Sequence, residues 1–71
     1  MTWVMWEARS ADGQQEALLA WAYDQAPASA QIYRSADRVV IIAEATGADL
    51  PDPPDALLAR PPFAWRFERM R

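Results

Sequence analysis

The 71-residue chain contains no cysteine and no histidine. No disulfide can brace it, and neither a thiolate nor an imidazole metal site can form. Lysine and asparagine are missing too, so every basic side chain is an arginine. Only Gly13 and Gly47 are glycines, which excludes a glycine-rich phosphate loop and a nucleophile elbow. No apolar run approaches the roughly 18 residues that cross a bilayer, and no basic-then-apolar leader pattern is present. The expectation is a soluble, cytoplasmic protein with no membrane partner. The formal charge of −3 argues against general binding to a phosphate backbone. That charge is uneven: Arg60, Arg66, Arg69 and Arg71 against Glu68 make the stretch 60–71 basic, at +3, which leaves −6 on the rest.

What is present fills one small domain, 1–71. "TWVMWEARS" (2–10) opens with aromatic and β-branched residues and predicts a strand that is apolar on both faces in its first half. "GQQEALLAWAYDQA" (13–26) predicts a helix ended by Pro27, with Asp12 as N-cap, Gln15 completing a capping box and Ser10 as a competing cap. Leu18, Trp21, Ala22 and Gln25 recur at helical spacing, and Leu19, Tyr23 and Ala26 widen the stripe. "SAQIYRSA" (29–36) predicts a weaker strand joined by a short "SAD" turn to a strand over 38–45, where Val39, Val40, Ile41 and Ile42 stand side by side. "TGADLPDPPD" (46–55) is a loop by composition. Asp52, the prolines and Asp55 then signal a short helix over 55–60, which stops before Pro61. "PFAWRFERM" (62–70) alternates cleanly, Phe63, Trp65 and Phe67 against Ala64, Arg66 and Glu68, as a half-buried edge strand does.

The order strand, helix, strand, strand, helix, strand predicts an α+β fold. Its expected form is a ferredoxin-like βαββαβ sandwich: a four-stranded antiparallel sheet with two helices on one face. Strands one and three then lie in the middle, which agrees with their apolar character on both faces. Two helices cover one face only. The other would show apolar side chains to water, a patch that soluble monomers avoid. Burying roughly 500 Å² of it would contribute on the order of 10 kcal/mol before association costs. The expectation is a homodimer with sheets face to face.

The element order, the size and "IYRSADRVVIIAEA" (32–45) after a helix resemble the dimeric α/β-barrel superfamily, in its antibiotic biosynthesis monooxygenase-like branch. The resemblance covers most of the chain and implies two functions: oxidation of an aromatic substrate without a cofactor, or haem degradation. The haem-degrading relatives use a histidine ligand, which this chain lacks. The chain is also shorter than such proteins, with the second half reduced to a loop and a short helix, and this counts against a roomy substrate cavity.

The four tryptophans admit two readings: an aromatic ligand pocket, or core and interface packing. Trp6, Trp65, Met5 and Tyr33 are the candidates for a pocket, and Trp3, Val40 and Ile42 for a dimer interface. Arg66, Arg69 and Arg71 are the candidates for holding an acidic protein partner. Cofactor-free oxygenation needs a base beside a cation or hydrogen-bond donor; Glu7, Arg9, Arg34, Tyr33 and Glu44 have the right chemistry, although a solvated strand end explains each more simply. Asp49, Asp52 and Asp55 lack the spacing and the glycine of a calcium loop, and helix capping accounts for the last two. No metal or other cofactor is expected. Arginines among aromatics occur in single-strand binders, but "DRVVIIAEA" (37–45) has neither the glycines nor the aromatics of the RNA-recognition signature, so a nucleic-acid partner is not expected. The expected role is therefore non-catalytic binding of a small apolar or aromatic ligand, or of a partner protein, by a homodimer. The alternative is a cofactor-independent monooxygenase or isomerase.

Overall fold

Aromatic and β-branched residues early in the chain, and the Val-Val-Ile-Ile run later, form the two long central strands of the structure. It is a computed structural model that describes residues 2–45 and 50–71. Strand β1 spans Thr2–Arg9, helix α1 Gln15–Gln25, β2 Gln31–Arg34, β3 Arg38–Glu44 and β4 Phe63–Glu68. They form one four-stranded sheet in the order β2-β3-β1-β4, with all three pairings antiparallel. The two strands that are apolar on both faces thus occupy the middle.

Helix α1 starts later than the sequence predicts. Gln14 precedes it with no side-chain cap, and Asp12 and Gly13 form a turn instead, with Gly13 at φ +74. That backbone region is open to glycine at little cost. The helix ends where Ala26 turns extended before Pro27. Its buried stripe is narrower than predicted. Leu18 and Ala22 are fully buried and Trp21 packs beside them, while Tyr23 and Gln25 face solvent.

The second helix is the main departure. Asp55–Leu57 forms a single 3-10 turn, preceded by Pro54 rather than capped by Asp52. After it the chain runs extended. The amide of Ala59 donates to the carbonyl of Arg9, that of Ala11 donates to Leu57, and Ser10 and Leu58 form an isolated bridge. Backbone bonding to the end of β1 satisfies these residues, and prolines on both sides leave no length for a helix. Among the described residues one α-helix, not two, therefore covers the sheet.

The core lies between α1 and one sheet face. Trp6, Ala8, Val39 and Ile41 project from β1 and β3 to pack with Leu18 and Ala22, and Ala43 is buried on the same face. The Trp6 and Trp21 rings stack at 5.4 Å, a geometry worth about 1 kcal/mol beyond the area it buries. The side chains that alternate with these project to the opposite face.

Candidate binding face

Strand alternation and register together decide what the uncovered face carries. On β1 it takes Trp3, Met5, Glu7 and Arg9; on β3 it takes Arg38, Val40, Ile42 and Glu44. The β1–β4 register adds Phe63, Trp65 and Phe67, and the β2–β3 register adds Gln31 and Tyr33. Three rows cross the sheet. Trp65, Met5, Ile42 and Gln31 form the middle one; Phe63, Glu7, Val40 and Tyr33 flank it on one side, and Phe67, Trp3 and Glu44 on the other.

Among the described residues no helix packs on these rows; α1 contacts the other side of the sheet and the 3-10 turn. Phe63, Trp65, Phe67 and Tyr33 are between 44% and 54% exposed, and Trp3, Met5, Val40 and Ile42 are half-buried. Every residue of β4 is exposed, so this strand is not the half-buried element its alternation predicts. Phe63 and Trp65 stack at 5.9 Å, which holds the aromatic strip in place. A shallow groove of about 280 Å³ runs between Trp3, Gln31, Ile42, Phe67 and Arg69. The Trp3 Nε1 donor is buried there with no hydrogen-bond partner among the described residues.

Charge gathers at the two ends of the face. At one end Glu7 forms ion pairs with Arg38 at 3.3 Å and Arg60 at 3.5 Å. Arg60 also lies over the Phe63 ring, and Asp37 pairs with Arg9 at 2.9 Å. At the other end stand Glu44, which is exposed, and Arg69, whose guanidinium lies over the Trp3 ring. The Glu7 cluster joins residues from three distant parts of the chain, and no local pattern in the sequence announces it.

The predicted pocket residues do not come together. Met5, Trp65 and Tyr33 share the open face, but Trp6 belongs to the core on the other side, because the register pairs Met5 with Trp65 and Trp6 with Ala64. Trp6 instead borders a separate cleft of about 240 Å³, lined also by Val4, Ile41, Ala43, Leu50 and Ala64. Trp3, Val40 and Ile42, the interface candidates, do lie together on the open face. The C-terminal arginines divide: Arg66 takes the helix side of β4 and has an interaction partner, whereas Arg69 reaches over Trp3 and donates to the Arg71 carbonyl.

The groups with acid–base chemistry are scattered or engaged. Arg34 pairs with Glu16 at 2.9 Å on the helix side, and Tyr33 donates from its hydroxyl to Gln31 at 3.2 Å. Asp49 lies outside the described residues. Among the described residues no group of acidic side chains has the arrangement of a metal site, and no helix is long and apolar enough to cross a membrane.

Comparison with known proteins finds no family model, curated protein or solved structure that matches the chain.

Proposed function

We propose that this chain is a homodimeric binding protein whose two copies join through the open sheet face. One observation carries the reading: Phe63, Trp65, Phe67 and Tyr33 stand exposed in register with Trp3, Met5, Val40 and Ile42 on one uncovered surface. The composition is that of an interface centre, rich in aromatics, Met and Arg, with charge at the margin.

The area supports a stable pair. An aromatic side chain offers about 200 Å², so the four exposed ones, each roughly half open, leave about 400 Å² per copy to bury. The half-buried residues and the charged margin carry this toward the ~800 Å² per partner of a standard interface. Need points the same way: the core of the described residues is a small set of apolar side chains, Leu18, Val39 and Ile41 the largest fully buried, and no disulfide supplements them. A face-to-face pair is also what the resemblance to the dimeric α/β barrels implies. With that face closed, the cleft beside Trp6 is the surface left for a small apolar or aromatic ligand.

Sedimentation equilibrium tests the reading. Across micromolar concentrations the expected mass is twice the 8.0 kDa of one chain. A single 8.0 kDa species throughout that range would overturn it.

A further inference from the structure

The open face carries a feature that area alone does not explain. Along β3 its side chains run Arg38, Val40, Ile42, Glu44: a cation, two apolar residues, an anion. Such a sequence is complementary to itself when reversed. Resting on the homodimer reading, we infer that the second copy lies with its strands antiparallel, β3 over β3, so that Arg38 of each copy meets Glu44 of the other.

Two ways of pairing the faces can be compared. A two-fold axis across the strands, level with Ile41 and Trp6, stacks each strand on its own counterpart in the opposite direction. Val40 then meets Ile42 of the second copy, and Arg38 meets Glu44 twice over. The Arg9–Arg38 end of one copy covers the Trp3–Glu44 end of the other. Glu7 faces an apolar neighbour, Met5, and keeps its own two arginines.

An axis along the strands, between β1 and β3, gives the opposite result. Because Arg9 and Arg38 are register partners, β3 over β1 of the second copy sets Arg38 against Arg9 at the same end, twice. Four guanidiniums would meet there with only Glu7 and Asp37 of each copy, already engaged, to offset them. Like charges set against each other across an interface select against the wrong register. Glu44 in that case would face Trp3 and the Arg69 guanidinium over it, so Glu44 gains a cation in either pairing and the four guanidiniums at the other end decide between them. The charge pattern favours the antiparallel pair.

The experiment uses the whole chain and its lack of cysteine. Ala36 lies exposed in the β2–β3 turn, off the face, so Ala36→Cys takes one nitroxide label. At about 3.3 Å per residue along a strand and ~10 Å between packed sheets, the antiparallel pair sets the two turns at opposite ends, about 30 Å apart. The parallel pair brings them within about 15 Å by the same spacings. Electron–electron dipolar spectroscopy with a peak at about 30 Å, the antiparallel spacing, supports the inference. A peak below about 20 Å, or one at or beyond about 40 Å as edge-to-edge pairing through β4 would give, overturns it while leaving a dimer. A labelled sample that sediments as one chain and shows no dipolar signal overturns the homodimer reading itself. Charge reversal is the second arm. Glu44→Arg, at an exposed strand end, loosens the dimer tenfold or more, and adding Arg38→Glu recovers most of that loss. A dimer indifferent to Glu44→Arg counts against the orientation.

Discussion

Trp65 offers the sharpest single perturbation of the proposed seam. It sits on an edge strand beside Met5 and is 44% exposed in the single chain. With about 250 Å² for a fully open indole side chain, roughly 110 Å² remains for a second copy to cover. At about 25 cal/mol per Å² that is close to ~3 kcal/mol per copy, or about 5 to 6 kcal/mol for the two-fold pair. Trp65→Ala is therefore expected to weaken dimerisation by about four orders of magnitude. The cost to the isolated fold is far smaller, because Trp65 gives up only its stack on Phe63 and its neighbour Met5. Contacts of that kind contribute about 1 kcal/mol each.

The assay separates the two effects. Sedimentation equilibrium reads the dissociation constant, while far-UV circular dichroism at high protein concentration reads whether the sheet survives. Tyr23→Ala is the control: its ring is 69% exposed on α1, away from the sheet face, and its loss leaves association unchanged. A folded Trp65→Ala protein with a dissociation constant within tenfold of the parent would show that no second copy covers this ring. An equal loss in the Tyr23 variant would show that the weakening does not come from this face.

Further expectations concern the fold and its margin. Leu18, fully buried where α1 meets β1 and β3, loses about 3 kcal/mol of stability on Leu18→Ala, measurable as a shift in the urea midpoint. Gly13→Ala costs about 1 kcal/mol from its positive φ alone, since an added Cβ meets nothing within 4 Å; thermal unfolding checks it. Replacing Arg66, Arg69 and Arg71 together by glutamine reduces retention on immobilised polyglutamate at low salt, with the difference vanishing at high salt. Retention equal to the parent at low salt would remove these arginines as the holders of an acidic partner.

Much of the sheet is legible in the sequence because a central strand that is apolar on both faces loses its alternation. Val39 to Ile42 could not be an edge strand with one wet side, and the register places β3 in the middle. The clean alternation of Phe63, Trp65 and Phe67 likewise shows that these rings share a face. Which face they share is a different matter, because it turns on register, and a slip of one residue moves a side chain to the other side of the sheet. For that reason Trp6 and Trp65 look equivalent in sequence and lie on opposite faces in the structure. The second helix misleads for a tertiary reason. "DALLAR" (55–60) has helical composition, yet the open backbone groups at the end of β1 bond to the Leu57 carbonyl and draw Leu58 and Ala59 into extended pairing.

That substitution changes the energetics of the whole molecule. With a second helix, the covered face would bury its apolar residues from β2 to β4. With one helix the burial stops near the middle, so Ala64, on the covered side of β4, remains exposed. The apolar surface left over is concentrated instead on the opposite face, where three rings from β4 extend the apolar centre of β1 and β3. Large aromatic residues left open to water on a strand destabilise the isolated state and reward association. An exposed edge strand of this composition also invites indiscriminate pairing, which natural sheets oppose with charge and proline near the edge. Pro61 and Pro62 lead into β4, and Arg66 and Glu68 lie within it. The edge is thus guarded while the face is not, and a chain that blocks one route to self-association and leaves the other open supports the proposed pairing through the face.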